Sequence, residues 1–279
     1  MAAAVTNSTL PSRDPSAAPA VEIPARWSVL ALLGGGGQAE VWLAEDLELG
    51  QRVAVKVLRP GAATTTRARW VRELRLGMQL EHPHLIRTLD IIELGCDLAG
   101  VFEYCSGGSV GRMVSFQGPQ PPELAARWAR QCLAALAYLH DQHVVHRDVK
   151  PSNLLLDDAG VVKLADLGLA GDLRSTRSGG GAAVGTHSHM PAEQESAGSP
   201  DFWWDLHALG VTLHQVLTGR LPARDEQGLT ELVSDRLRHT TTDLPWLAVL
   251  IDRLLEHRRP LRWPDARHAL AALESLPGI

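Results

Sequence analysis

The chain has 279 residues, of which 45% are hydrophobic and 21% are charged, and its formal net charge is −5. This composition is typical of a globular protein, and the length allows one large domain or two lobes with a sizeable core. The negative charge argues against nucleic acid as a partner, since such proteins usually carry a basic excess. Three cysteines without a CxxC pair argue against a disulfide framework and favour the reducing cytoplasm. No apolar run is as long as a membrane span, so no membrane partner is expected.

Residues 1–25 are rich in Ala, Pro, Ser and Thr and show neither a helical nor a strand period, which predicts a disordered leader. The ordered domain is expected over residues 26–278. Its strand-rich part should cover about residues 26–105 and its helix-rich part about residues 106–278, because Gly107 and Gly108 interrupt the pattern between them.

A glycine-rich turn interrupts the first strand-like segments. Ser28–Leu33 and Arg52–Leu58 are predicted strands, and the four consecutive glycines of Gly34–Gly37 follow the first of them. Glycine lets the backbone approach a ligand closely, and the exposed N–H groups of such a turn suit phosphate oxygens. A hairpin without a ligand explains the same residues, so the turn alone leaves both readings open.

Lys56 lies on the inner face of the predicted strand Arg52–Leu58. A buried lysine needs an anionic partner, whereas a lysine on an edge strand would reach solvent. Glu73 lies in the segment Arg69–Leu80, which is a predicted helix, and it could be either a solvated helix residue or the partner of Lys56. The apolar stripe of this helix consists of Trp70, Leu74 and Met78.

The remaining elements follow from short apolar runs and from helical periodicity. Further predicted strands are Leu85–Leu94, Leu98–Tyr104, Asn153–Leu156 and Val161–Ala165. Predicted helices are Leu124–His140, Asp205–Thr218 with Gly219 as its stop, Leu229–His239, Leu244–His257 and a last one after Pro264. The polar, glycine-rich run Arg174–Gly181 predicts a mobile loop.

The segment His146–Asn153 concentrates polar side chains between two apolar runs. Burying these groups is costly unless they pair with one another or perform a function. A solvated turn would require neither an aspartate at position 148 nor an asparagine at position 153. We therefore expect Asp148 and Asn153 to have a function beyond the formation of a turn.

The order of these motifs resembles the eukaryotic-type, or Hanks-type, serine/threonine protein kinase domain from about Trp27 to Leu276. The resemblance implies an α+β, bilobal fold with a small β-rich N-lobe that carries one main helix and a larger α-helical C-lobe. It implies transfer of the γ-phosphate of ATP to Ser/Thr hydroxyl groups of protein substrates, with Mg²⁺ or Mn²⁺. The Ala-, Arg- and Gly-rich composition favours a bacterial source.

The resemblance also implies a role for individual residues. The catalytic residues would be Asp148, Lys150, Lys56 and Glu73, and the metal ligands would be Asn153 and Asp166. The ATP-binding residues would be Leu33, Gly34, Gly35, Gly36, Gly37, Gln38, Ala39, Glu40, Val41, Ala54, Lys56, Glu103 and Cys105, with Phe102 guarding the pocket behind the adenine. The structural residues would be Arg147, Thr186, Glu193, Asp205 and Arg262, of which Asp205 braces the catalytic loop and Glu193 pairs with Arg262.

Arg147 next to Asp148 suggests regulation, because an arginine there can bind a phosphate on the mobile loop. The candidate acceptors are Thr176, Ser175 and Ser178. Autophosphorylation, in a transient homodimer, is then expected to raise activity. A loop that is merely flexible is the competing interpretation.

Several positions depart from the family pattern. Ala39 replaces a lid glycine, Leu167 replaces a phenylalanine, and the order Pro191–Ala192 before Glu193 replaces Ala-Pro. Gly77 stands where a larger side chain usually packs against the position of Leu167, which predicts a thinner core there. The alternative functions are a pseudokinase that acts as a scaffold or allosteric partner and a small-molecule phosphotransferase. The complete catalytic set argues against the first alternative, while Lys150 and Glu193 argue against the second.

Overall fold

The computed structural model describes residue 19 and residues 22–35, 39–59, 61–95, 97–167, 171–172, 187–191, 201–225, 230 and 244–275. Most of the predicted leader, most of the predicted helix Leu229–His239 and the predicted loop Arg174–Gly181 lie outside these ranges. The described residues up to Glu81, together with Ile86–Gly107, form unit 1, and His82–Leu85 with those from Gly108 onward form unit 2. Within the described ranges, no helix combines the length and the apolar character needed to cross a bilayer.

Unit 1 is built on an antiparallel sheet of five strands in the order β1-β2-β3-β5-β4. The strands are β1 (Trp27–Gly35), β2 (Ala39–Asp46), β3 (Gln51–Leu58), β4 (Thr88–Leu94) and β5 (Asp97–Glu103). The alternation of β3 explains its place in the centre. Val53, Val55 and Val57 are buried on one face, while Ala54 and Lys56 are half-buried on the other.

Helix α1 (Thr64–Gly77) packs on the face of the sheet that carries Lys56. The helix begins at Thr64 rather than at the predicted Arg69 and ends at Gly77 rather than at Leu80. Trp70 and Leu74 of the predicted stripe are buried there. The third member was predicted wrongly, because Met78 follows the last helical residue and is 50% exposed.

Two glycines allow α1 to lie close to the sheet. A Cβ atom on Gly77 would come within 2.2 Å of the Thr88 hydroxyl oxygen, and a Cβ on Gly100 within 2.5 Å of a Leu74 methyl carbon. Such distances are shorter than van der Waals contact. Thr88 therefore fills the space beside Gly77 where the helix faces β4, while the thinner core predicted beside Leu167 stays a prediction.

Unit 2 is mainly helical. Its helices are α2 (Val110–Gln117), α3 (Pro122–Asp141), α4 (Phe202–Thr218), α5 (Pro245–Leu255) and α6 (Ala266–Glu274). Its short strands are β6 (Gly108–Ser109), β7 (Val144–Val145), β8 (Leu154–Leu156), β9 (Val162–Leu164) and β10 (Gly171–Asp172), paired as β6-β8-β9 and β7-β10. A strand-rich unit and a helix-rich unit confirm the predicted α+β class.

Local signals fix the helix ends of unit 2. Asp201 and Asp265 each accept a hydrogen bond from a backbone N–H in the first turn of the helix that follows. Gly219 adopts the left-handed conformation with φ of 71° and ends α4, as predicted. Helix α2 was not predicted, although Ser109 caps it by accepting a hydrogen bond from the Arg112 N–H.

Candidate active site

In unit 1, Lys56 and Glu73 form an ion pair. The Lys56 Nζ atom lies 3.1 Å from Glu73 Oε1, and the side chains of the two residues are 20% and 7% exposed, respectively. Strand β3 holds the lysine on the α1 face of the sheet, and Glu73 lies three residues after the buried Trp70 on the same face of the helix. The half-buried lysine thus has the anionic partner that the resemblance implied.

The strands that flank the glycine turn place other predicted ATP-binding residues near Lys56. Val41 of β2 lies directly opposite Lys56 in the sheet, and Ala54 lies opposite Phe102 of β5. The methyl group of Ala39 packs against the cluster formed by Leu58, Trp70 and Leu74. Gly36, Gly37 and Gln38 lie outside the described residues, whereas Leu33, Gly34, Gly35 and Glu40 belong to β1 and β2.

The predicted adenine-binding segment follows β5. The Glu103 N–H donates to the Arg87 carbonyl oxygen at 3.0 Å, and the Glu103 carboxylate accepts from the Arg87 N–H at 2.7 Å. An adenine contact from Glu103 would therefore have to use its carbonyl oxygen. Cys105 is buried.

In unit 2, Asp148 is held by two residues of its own loop. Its carboxylate oxygen Oδ2 lies 2.7 Å from Lys150 Nζ and accepts a hydrogen bond of 3.0 Å from the Asn153 amide nitrogen. The same amide nitrogen donates to the Asp148 carbonyl oxygen at 2.9 Å. A short 3-10 turn, Pro151–Asn153, bends the chain back so that positions 148 and 153 meet.

Asp205, in the first turn of α4, supports this loop through hydrogen bonds to its backbone. Its two carboxylate oxygens accept hydrogen bonds from the N–H groups of His146 at 2.9 Å and Arg147 at 2.7 Å. His140 of α3 contacts the same carboxylate through Nε2 at 3.0 Å. Burial raises the pKa of Asp205, but the hydrogen bonds from His140 and from the loop outweigh it and hold the pKa below its usual value. The buried carboxylate is therefore charged near neutral pH.

The imidazole ring of His146 connects the loop to the residue before Asp166. Its Nδ1 accepts a hydrogen bond from the Asp148 N–H at 3.3 Å, which leaves Nε2–H to donate to the Ala165 carbonyl oxygen at 3.1 Å. The Ala165 N–H in turn donates to the Asn153 carbonyl oxygen at 2.8 Å. Asp166 thus follows a segment that is tied to the loop of Asp148 and Asn153 by two hydrogen bonds.

Arg147 carries a charge that is incompletely satisfied. Its Nε atom is buried and has no hydrogen-bond partner in the part of the chain that the structure describes. Burial lowers the pKa of Arg147, and the nearby Asp205 carboxylate only partly opposes this effect. The remaining donors of the guanidinium group are suited to an anion.

Asn153 and Asp166 have the chemistry of ligands for a hard divalent cation. Because the Asn153 amide nitrogen faces Asp148, its amide oxygen points the other way, and Asp166 supplies a carboxylate. Oxygen atoms of this kind suit Mg²⁺, which keeps waters and substrate phosphates in its coordination shell. The residues present therefore fit the metal that the sequence predicted.

Several predicted residues cannot be placed in this arrangement. Thr186, Glu193, Thr176, Ser175 and Ser178 lie outside the described residues. Arg262 is described, and its guanidinium group donates to the carbonyl oxygens of Glu256 and His257 and stacks on the Trp203 ring at 3.5 Å. Its predicted pairing with Glu193 stays a prediction.

Sequence reasoning missed three supporting residues. Gly111 of α2 lies so close to the loop of Asp148 and Asn153 that a Cβ atom would come within 2.9 Å of the Ser152 nitrogen. His140 contacts Asp205, and Trp70 contacts Lys56, with Nζ 4.9 Å from the ring centroid. Of these three, only Trp70 could have been found from the sequence, because it lies one helical turn before Glu73.

Comparison with known proteins agrees with this geometry. Residues 27–268 match the model of the protein kinase domain family. Serine/threonine-protein kinase PrkC of Bacillus subtilis is 34% identical over 226 residues, which cover 80% of this chain and 34% of that protein. Serine/threonine-protein kinase pkn2 of Myxococcus xanthus is 34% identical over 271 residues, or 90% of this chain and 32% of that protein. PknB of Mycobacterium leprae is 33% identical over 205 residues, or 71% of this chain and 33% of that protein.

The chain belongs to the protein kinase domain family, because the family model covers most of its length. These three relatives are named serine/threonine-protein kinases and come from bacteria, which confirms the predicted resemblance to that branch. The chain spans about a third of the length of the curated relatives that it matches.

Proposed function

We propose that this domain transfers the γ-phosphate of ATP to serine or threonine hydroxyl groups of protein substrates. The observation that supports the proposal best is the Asp148 carboxylate, held at 2.7 Å from Lys150 Nζ in a loop that Asp205 supports. A carboxylate that is fixed beside a cation can orient a hydroxyl while the cation faces the transferred phosphoryl group.

The reaction exchanges one bond to phosphorus for another. The substrate hydroxyl oxygen forms a bond to the γ-phosphorus, and the bond from that phosphorus to the β–γ bridging oxygen breaks, which releases ADP. Asp148 accepts the hydrogen bond of the attacking hydroxyl and receives its proton as the new bond forms. Lys150 stabilises the negative charge of the transferred group.

Lys56 has the corresponding role toward the α- and β-phosphates of ATP. Its ammonium group is already paired with Glu73 at 3.1 Å, so the side chain is held in one conformation before ATP binds. The backbone N–H groups of the glycine turn would bind phosphate oxygens as well. These residues orient the nucleotide, and they do not take part in bond making.

We further propose Mg²⁺ as the metal, held by Asn153 and Asp166, with Mn²⁺ as a substitute. The ion would neutralise phosphate charge during the transfer. A carboxylate and an amide oxygen do not distinguish strongly between these two hard cations. Activity assays with either ion, after removal of bound metal with a chelator, measure this preference.

Incorporation of labelled phosphate from ATP into a generic protein substrate tests the proposed activity. Asp148→Asn should lower the rate by about 10²- to 10⁴-fold, the range for a positioned general acid–base group. Asp158→Asn changes an exposed aspartate of the same unit and should leave the rate unchanged. Equal incorporation by wild type and Asp148→Asn, or none by either, would contradict the proposal and favour the pseudokinase alternative.

We propose in addition that the domain phosphorylates itself at Thr176, Ser175 or Ser178, through transient contact between two copies. The buried Arg147 Nε without a partner supports this idea, because a phosphate could satisfy it. Mass spectrometry of ATP-treated protein should find phosphate between Asp166 and Glu193. An unmodified segment after prolonged incubation would rule it out.

The relatives are serine/threonine kinases by name, so we expect proteins rather than nucleic acids as substrates and a part in signal transduction. Because the reaction consumes ATP, we place the domain in the cytoplasm. Fractionation of cells that express the full chain would test this location.

A further inference from the structure

Trp70 contacts Lys56 but has no role in the proposed reaction. It is 3% exposed and lies in the α1 cluster with Leu58 and Leu74. Its indole ring faces the Lys56 ammonium group, with Nζ 4.9 Å from the ring centroid. A cation within about 6 Å of an indole centroid is attracted by the quadrupole of the ring.

The indole ring is itself fixed. Its Nε1–H donates to the Leu98 carbonyl oxygen of β5 at 2.7 Å, and its centroid lies 6.3 Å from the ring of Phe102. A hydrogen bond at one edge and an aromatic neighbour leave the ring little freedom to turn. The orientation that meets the lysine is therefore set by β5 and not by the lysine.

Trp70 and Glu73 are three residues apart, so both face the sheet from neighbouring turns of α1. Lys56 is thus contacted by a carboxylate and by an aromatic face that belong to the same helix. A lysine side chain has four rotatable bonds, and a single carboxylate would leave it able to pivot about the contact. Two contacts on one helix face restrict this pivoting.

We propose that Trp70 is a positioning residue, which holds the Lys56 ammonium group against Glu73 and in the orientation required for contact with ATP phosphates. It touches neither substrate nor reacting atoms and acts only through Lys56. The inference rests on the proposed kinase function, but the contact itself exists in unit 1 without nucleotide.

The first experiment therefore needs no activity. A double-mutant cycle in urea unfolding of the full chain without nucleotide compares Trp70→Leu, Lys56→Gln and the double variant. The coupling between the two sites should correspond to a factor of about 2 to 30 in the unfolding equilibrium constant, the range for a cation–π contact. A coupling factor near one would overturn the proposed contact.

The second experiment measures kcat/KM for ATP. Trp70→Leu should lower kcat/KM by about 10-fold in the wild-type background, because the cation–π contact that positions Lys56 is lost. In a Glu73→Gln background, where the lysine has already lost its carboxylate, the same change should cost about 2-fold or less. Trp70→Phe keeps an aromatic face and should restore most of the rate.

Trp42→Leu serves as the matched control, since Trp42 is also buried in unit 1 but belongs to the core on the other face of the sheet. Its effect on kcat/KM should be the same factor in both backgrounds. If Trp70→Leu also gave equal factors in both backgrounds, Trp70 would be structural only and the proposal would fail. If Trp70→Leu did not fold, Trp70→Met, which is longer and also lacks an aromatic face, would be used in both cycles with the same criterion.

The two proposals can fail separately. A wild-type protein without kinase activity would contradict the proposed function, while the unfolding cycle would still decide whether Trp70 holds Lys56. An active wild type with no coupling in either cycle would contradict only the role of Trp70.

Discussion

Substitution of Gly77 by alanine tests how α1 is seated on the sheet. In a helix that faced empty space, alanine would stabilise the protein by about 1 kcal/mol relative to glycine. In this structure, the new Cβ would lie 2.2 Å from the Thr88 hydroxyl oxygen and 3.3 Å from the Thr88 Cβ. Overpacking of this kind costs about 1–3 kcal/mol, so we expect Gly77→Ala to lower the free energy of unfolding by about 1 kcal/mol net.

Urea unfolding with matched variants separates the two contributions. Ala68→Gly, at an exposed position of the same helix, measures the helix propensity difference alone. Thr88→Ala removes the hydroxyl group, so adding Gly77→Ala to that variant should cost less than it does in the wild type. Stabilisation of the wild type by Gly77→Ala would refute the reasoning, because it would show that Thr88 leaves room for the added methyl group.

The same substitution has a consequence for activity. Glu73 lies one turn before Gly77 on α1, so a helix displaced from β4 carries Glu73 away from Lys56. We expect kcat/KM for ATP to fall more than the loss of stability explains, when it is measured well below the unfolding temperature. Normal kcat/KM in a destabilised Gly77→Ala variant would show that the ion pair tolerates movement of the helix.

Three further predictions concern unit 2. Asp205→Asn should lower the free energy of unfolding by about 1.5–3 kcal/mol and reduce kinase activity, because one hydrogen bond to a charged acceptor is lost; urea unfolding of this variant and of Asp158→Asn measures the difference. Gly111→Ala should lower kcat and also lower the free energy of unfolding by about 1 kcal/mol, because its Cβ would displace the backbone at Ser152; steady-state kinetics and urea unfolding test the two parts. Burial lowers the pKa of His189 to about 4 and that of His207 to about 3, so both rings are neutral in the folded state while the unfolded chain takes up protons below pH 6.5. Stability is therefore fully present above pH 6.5 and should fall by about 2 kcal/mol for each histidine between pH 7 and pH 5, and His207→Gln should remove one share of this loss in urea titrations at the two values.

Alternation and spacing predicted the elements that carry Lys56 and Glu73, two of the proposed catalytic residues. The strand around Lys56 follows from alternating valines, whereas the pairing with Glu73 followed only from the resemblance to the kinase family. The start of α1 was predicted too late because Thr64–Thr66 offers no apolar stripe, and because Ala63 at the N-cap makes no side-chain hydrogen bond to the helix. Helix α2 was missed because its eight residues bury only Val110 and Val114, which is too few for a recognisable period.

Contacts between distant elements were beyond the reach of sequence patterns. His140 and Asp205 are 65 residues apart, and nothing in the local pattern of either helix indicates that they meet. Thr88 beside Gly77 is a similar case, since a glycine in a helix indicates either weak packing or close approach. Only the position of β4 distinguishes weak packing from close approach, and the distance to Thr88 shows that the helix and the strand approach closely.

The backbone around the loop His146–Asn153 explains why Asp205 has to be charged and buried. Arg147 and Asp166 adopt left-handed conformations, with φ of 69° and 70°, which cost about 1–2 kcal/mol each for residues other than glycine. The shortest of the three hydrogen bonds to Asp205, at 2.7 Å, comes from the N–H of Arg147. The Asp205 carboxylate therefore holds the strained residue directly. A neutral acceptor would bind less strongly than a carboxylate, and the strain would then be less well compensated. The His140 contact keeps that carboxylate ionised inside the protein, and so the position of Asp148 depends on a pair of side chains that never touch the substrate.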